Sequence, residues 1–129
     1  MALIDRGLVI DTPYIDRILS GIKTWEMRST ATKIRGRIAL IRKGSGTVIG
    51  TAELVDCLGP FTDAQMMANQ EKHRIELERI RSGQVAKWRY AWVVRDAHLL
   101  PAPVLYVHRP GAVIWVTLDD KVQQTLGER

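Results

Sequence analysis

A glycine-rich turn, Gly44-Ser45-Gly46, separates two apolar stretches, Ile38–Arg42 and Val48–Leu58. Glycine supplies the backbone conformations that tight turns need, so two stretches joined this way fold back on each other as an antiparallel hairpin. The second stretch is long enough to carry a bulge. This hairpin commits the chain to a sheet, and the flanking segments must pack around it. Upstream, Gly7–Asp11 reads as a short buried strand, and Lys23–Ser29 alternates as another.

Between these two, Thr12-Pro13 predicts a helix start, with a capping hydroxyl and proline at the first helical position. Ile15, Ile18 and Leu19 then fall on one face, and Gly21 is a natural stop. Beyond the hairpin, Gly59-Pro60 ends the strand run. Thr62 with Gln65 three residues on is a capping-box pattern. The helix it starts is expected to continue through Glu71–Arg81 as a charged amphipathic helix anchored by Ile75 and Ile80, until Ser82-Gly83 breaks it. Trp88–Val94 reads as a strand, and Leu100–Arg109, with Pro101 and Pro103, as a loop or edge segment. Ala112–Leu118 reads as a last strand, after which Asp119-Asp120 caps a short helix. The expected class is α+β, a small mixed barrel with helices packed at its openings, formed by residues 1–129 as one domain. A barrel this small is filled by its own side chains, so a ligand must bind at a mouth or in an outer cleft.

With 129 residues, 46% hydrophobic and 26% charged, the composition is that of an ordinary globular domain. A lone cysteine, Cys57, excludes an intramolecular disulfide, so a reducing, cytoplasmic setting is expected. No apolar run is long enough to span a bilayer, and Asp5 and Arg6 interrupt what would be a leader's apolar region, so neither a membrane nor an export signal is expected. The net charge of +5 is uneven. Tyr14–Lys43 holds eight bases against Asp16 and Glu26; Glu71–Arg95 holds seven against three acids; Gly44–Gln70 holds three acids and no base. Clustered bases in a chain of pI about 9.7 are either a solvated surface or a nucleic-acid footprint.

The densest chemistry lies in Ile18-Leu19-Ser20-Gly21-Ile22-Lys23-Thr24-Trp25-Glu26-Met27-Arg28-Ser29. Glu26 and Arg28 share one strand face, because side-chain direction repeats every two residues. Lys23 sits in the turn before them. The three form either an ion pair closing a strand edge or a polar cleft at a barrel mouth. In a cleft, Arg28 suits bidentate phosphate recognition, Lys23 acts as a point charge, and Glu26 is a candidate general base. Trp88, Tyr90 and Trp92 recur every second residue; such a stripe is either core or a base-stacking platform. Tyr90 joins Lys23 and Glu26 as a candidate catalytic residue. Lys87 and Arg89, with Lys33, Arg35 and Arg37, are candidate phosphate contacts alongside Lys23, Arg28 and Trp88. No His or Cys pair has metal-ligand spacing, so no metal or other cofactor is expected.

The pattern Ile-Leu-Ser-Gly-x-Lys-Thr-x-Glu-x-Arg, after a short strand and helix, resembles the ASCH domain, a relative of the RNA-binding PUA fold. Gly50-Thr51-Ala52, Tyr90-Ala91-Trp92-Val93-Val94 and Gly111-Ala112-Val113-Ile114-Trp115 are similar to its later blocks, so the resemblance runs from about Gly7 to Leu118. It implies a PUA-like barrel whose Gly-x-Lys motif lines a cleft beside a helix. It also implies RNA association and, in some members, metal-independent ribonuclease activity; other members deacetylate acetylated cytidine nucleosides. In those, a second threonine of the motif is the nucleophile, the lysine activates it and a distant glutamate assists. Here Lys23 matches the lysine, Glu26 stands at the nucleophile position, and Glu71, Glu76 and Glu78 are candidates for the distant acid. The leading expectation is a protein that binds single-stranded RNA or a nucleotide, in a cleft that either only binds or also cleaves RNA without a metal. The alternatives are an amidohydrolase acting on a modified nucleoside such as N4-acetylcytidine, and a regulatory module without chemistry.

Overall fold

The glycine turn joins β3 (Gly36–Arg42) to β4 (Thr47–Leu58) antiparallel, with Gly44 and Gly46 both at positive φ, +79° and +68°. This computed structural model describes residues 3–127; Met1 and Ala2, where the leader reading begins, lie outside them. The remaining strands are β1 (Arg6–Ile10), β2 (Trp25–Arg28), β5 (Tyr90–Leu105) and β6 (Trp115–Thr117). Together they form one curled half-barrel in the order β2-β5-β4-β3-β1-β6. Every neighbouring pair is antiparallel except β1 and β3. That parallel pair is connected through α1 (Tyr14–Leu19) and β2, and it brings two strand C-terminal ends to the same side of the sheet.

Helices cover the sheet where its apolar side chains need shielding. On one side α1 inserts Ile15 and Ile18 against Leu8, Ile10, Leu40 and Trp92. On the other, α5 (Asp120–Gly127) buries Val122 and Leu126 against Val9, Ile41 and Val116. A third cluster joins Trp25 and Met27 of β2 to Met66, Ile75 and Ile80 of the helical insertion. Where β4 passes under α1 it carries Gly50, because a β-carbon there would lie 2.3 Å from Leu19 Cδ2 and 2.7 Å from the His98 carbonyl oxygen. Among the described residues no helix is long and apolar enough to cross a membrane.

Four local expectations are corrected. The Thr12 hydroxyl does not cap α1: it accepts from Arg42 Nη1 at 2.9 Å, and Pro13 is the N-cap residue. The helix expected through Glu71–Arg81 is broken into α3 (Gln70–His73) and α4 (Leu77–Arg81), after the correctly capped α2 (Asp63–Ala68). The break falls at Arg74, held left-handed at φ +60°; the His73 carbonyl, freed from the helical ladder, accepts from Lys23 Nζ instead. Ile75 and Ile80 are nonetheless buried as expected. Trp88 lies before β5 rather than in it, while β5 runs on through Pro101 and Pro103. Those prolines fall in a gap in the β4 register between Leu99 and Val104, and β2 pairs only with Tyr90–Val93, so their missing N–H groups remove no ladder bond. Finally, β6 is only three residues long, shorter than the Ala112–Leu118 expectation.

Candidate functional site

A cavity of about 220 Å³ opens at the shared C-terminal ends of β1 and β3. Asp11 follows β1 and Lys43 follows β3, and both line it. The Lys43 N–H donates to the Ile10 carbonyl at 3.0 Å, continuing the parallel ladder to the rim. Val113 and Ile114 form one wall, held beside β1 by a bond from Val9 N–H to the Ile114 carbonyl at 2.9 Å. Tyr14, from the first turn of α1, and Trp88 form an aromatic corner with ring centroids 6.5 Å apart and planes at 87°. An engineered apolar cavity of about 150 Å³ holds benzene. The volume here therefore suits one substituted heterocycle, not a stack of them.

The floor is the Lys23–Glu26–Arg28 cluster, brought together because β2 is a regular strand. Glu26 sits between the two cations: its Oε2 accepts from Arg28 Nε at 3.1 Å and lies 2.9 Å from Arg28 Nη2, and its Oε1 lies 3.7 Å from Lys23 Nζ. Arg28 is fixed from behind as well. Its Nη2 donates to the Val9 carbonyl at 2.8 Å and its guanidinium lies 5.5 Å from the Trp92 ring centre. Among the described residues Arg28 Nη1 has no hydrogen-bond partner, and it is not sealed off from solvent, so an accessible donor remains beside the Glu26 carboxylate.

Lys23 is only 2% exposed. Its ammonium donates to the Trp25 and His73 carbonyls, each at 2.6 Å, and its third N–H direction is left for Glu26. Burial pulls its pKa from 10.5 down to about 8, against the opposing pull of Glu26. The expectation of Lys23 as a point charge for phosphate thus meets an ammonium already spent on two backbone carbonyls. Neighbouring His73 is buried and its pKa is lowered, first by burial. Ile75 N–H donates to Nδ1 at 2.9 Å, which assigns the proton to Nε2, and Nε2 donates to the Met66 carbonyl at 2.6 Å.

Of the residues singled out from sequence, Lys23, Glu26, Arg28 and Trp88 line this cavity. Tyr90 does not: it stands opposite Arg28 in the β2–β5 ladder and packs half-buried against the Trp92 core cluster. Arg35 pairs with Asp56 at 3.9 Å and Arg37 with Glu53 at 3.2 Å, so the acids of β4 offset two of the eight bases of the first basic stretch. Arg89 pairs with Asp63 and donates to the Ala86 carbonyl at 2.7 Å. Lys33 and Lys87 are exposed, as are Glu71, Glu76 and Glu78, and none of these five lines the cavity. Trp92 and Trp115 stack within the fold. Asp11, Tyr14, Lys43, Val113 and Ile114 went unrecognised. The signal for the first three is positional, each lying just past the end of β1 or β3, and it becomes visible only once those strands are known to be parallel. Among the described residues no three His, Cys, Asp or Glu side chains gather as a metal site.

Residues 8–100 match the family model described as the ASCH domain. A search of curated proteins finds no match. Among solved structures, the chain is similar to the ASCH protein from Zymomonas mobilis, with a TM-score of 0.72 at 17% identity, covering 95% of this chain and 93% of that one. Two single-residue mutants of the same protein superpose with TM-scores of 0.70 and 0.66 at 17% and 18% identity. They cover 95% of this chain and 96% and 94% of theirs. At this identity the likeness concerns the fold.

Proposed function

The chain belongs to the ASCH family, whose PUA-like fold is associated with RNA binding, and on that premise we propose that its cavity receives one base of a single-stranded RNA or of a free nucleotide. The observation that carries this reading is the Glu26–Arg28 pair at the foot of an aromatic-walled cavity of single-ring size. A base has a planar apolar face and a polar edge that mixes donors with acceptors. The Tyr14–Trp88 corner suits the face, at about 1–3 kcal/mol per stacked base. The carboxylate accepts from an amino or imino group while the spare Arg28 Nη1 donors serve a ring nitrogen or carbonyl. Lys43 at the rim serves the attached phosphate.

Chemistry on the bound nucleotide rests on the protons of the floor. For RNA cleavage, a 2′-hydroxyl gives up its proton to Glu26 or to neutral Lys23 as its oxygen attacks the adjacent phosphorus, and the 5′-oxygen leaves with a proton from solvent. Tyr90, packed against the core, takes no part in this scheme. A second reading is favoured by the compactness of the cavity and the lowered pKa of Lys23: hydrolysis of an amide on a modified nucleoside, with water as the attacking group.

Titration with the four nucleosides, with 5′-mononucleotides and with a labelled single-stranded RNA tests the binding reading. Trp88→Ala is expected to weaken binding of all of them by about five- to 150-fold, the range set by one stacked base. If no nucleoside, nucleotide or RNA binds at low salt, or if binding is indifferent to Trp88→Ala and Arg28→Lys, the reading fails. Incubation with RNA and with N4-acetylcytidine, scoring strand scission and released acetate, separates the two chemistries.

A further inference from the structure

Three arginines, two against the aromatic corner of the cavity and a third joined to one of them, are anchored on the protein yet unspent. Arg17, on α1, and Arg79, on α4, lie 6.0 and 5.8 Å from the Tyr14 ring centre, on the aromatic corner itself. Arg79 also lies 5.9 Å from the Trp88 ring, donates to the Tyr14 hydroxyl, and donates through Nε to Gln84 at 3.2 Å. Arg17 Nη1 donates to the Arg74 carbonyl at 3.2 Å, and Arg74 Nε donates to the Ile22 carbonyl at 3.0 Å. These two bonds tie the end of α1 and the turn after it to the left-handed break after α3.

Each guanidinium carries five N–H donors. One or two are used here to fix its position, and none of the remaining nitrogens is buried without a partner, so the spare donors reach solvent. Among the described residues no carboxylate lies within ion-pair distance of Arg17, Arg74 or Arg79. The contrast with Arg35, Arg37, Arg42 and Arg89, all paired with acids, is direct. The exposed acids of the same insertion, Glu71, Glu76 and Glu78, pair with none of the three.

Resting on the base-binding reading above, we infer that the phosphates flanking the bound base run across the α1–α4 face on Arg17, Arg74 and Arg79, and not along the Lys33–Arg37 segment. A guanidinium held by a carbonyl or a hydroxyl loses little freedom when its outer edge meets a phosphate, and that edge matches phosphate oxygens two at a time. The partner is a single strand, because one base must leave its stack to enter the cavity while its neighbours stay outside.

The test measures affinity for a fluorescein-labelled 12-nucleotide single-stranded RNA from 50 to 250 mM KCl. Each single-strand phosphate contact contributes about 0.7 to the slope of log affinity against log salt. The Arg17→Gln/Arg74→Gln double variant is expected to lose about 1.4 from that slope, and about 25-fold in affinity at 0.1 M salt. If the double variant does not melt cooperatively, Arg17→Gln alone carries the test, with about 0.7 lost. Lys33→Gln/Arg35→Gln is expected to leave the slope in place. Free nucleosides, having no phosphate, are expected to bind the wild type and Arg74→Gln equally, because Arg74 touches neither ring of the aromatic corner. If nucleosides bind but the double variant keeps the wild-type slope, the arginine track is overturned while the cavity reading stands. If the slope falls instead with Lys33 and Arg35, the track lies elsewhere and the inference is wrong. If no nucleoside binds at all, the cavity reading itself fails. Displacement of the RNA by polyglutamate of equal charge overturns the assignment of a nucleic-acid partner.

Discussion

Replacing Lys23 with methionine removes a titrating group of similar length from the floor of the cavity, and its effect on stability should change with pH. Below pH 8 the ammonium is protonated in both the folded and the unfolded chain, and the folded chain bears the full cost of burying it. Between pH 8 and 10.5 the folded chain gives up the proton while the unfolded chain keeps it, so the unfolded state binds more protons and stability rises with pH. A fall in pKa from 10.5 to about 8 corresponds to about 3 kcal/mol, of which roughly 2 kcal/mol is recovered between pH 7.5 and 10. The geometry permits this titration: a neutral amine keeps two hydrogens for the Trp25 and His73 carbonyls and gives up only the proton facing Glu26. Lys23→Met strands both carbonyls, at about 1–3 kcal/mol each, so the variant starts less stable, but that deficit does not titrate. Urea unfolding of both proteins at pH 7.5, 8.5, 9.5 and 10 measures the difference, in which tyrosine ionisation cancels. The gap should widen in favour of the wild type by about 2 kcal/mol. A gap that stays constant across this range would mean that Lys23 titrates at its ordinary value and that burial does not govern it.

Gly50→Ala should cost about 3 kcal/mol, lowering the melting temperature by roughly 10 °C, because the new β-carbon meets the His98 backbone as well as Leu19; a drop below about 2 °C would refute the close approach. Gly7→Ala should cost less, near 1 kcal/mol, because its β-carbon meets the tip of Ile41 at 2.4 Å, and adding Ile41→Val should restore most of the loss. Thr62→Ala removes the hydroxyl half of the α2 capping box, leaving the bond from the Thr62 N–H to the Gln65 side chain, and should cost about 1 kcal/mol in urea unfolding without changing nucleotide affinity.

Local physics made much of the fold legible. The hairpin follows from its turn glycines, the start of α2 from Thr62 and Gln65, and the anchors Ile75 and Ile80 from their apolar character in a charged stretch. The break within Glu71–Arg81 is not legible in the sequence, because nothing in its composition shows that the His73 carbonyl has a better donor in Lys23, 50 residues earlier in the chain. The pairing of Arg35 and Arg37 with β4 acids is likewise a matter of register: charge counted along the chain overstates charge displayed in space.

The motif around Lys23, Glu26 and Arg28 was visible as a concentration of ionisable groups, because residues two apart on a strand must share a face. The cavity was not visible, because Asp11, Tyr14, Lys43, Trp88 and Ile114 converge only when β1 and β3 pair in parallel and the insertion folds back over β2. Alternation, caps and turns act over a few residues and can be read in one dimension. Which buried ammonium loses its water, and which guanidinium keeps its donors free, depends on neighbours supplied by distant parts of the chain, and only the folded arrangement decides them.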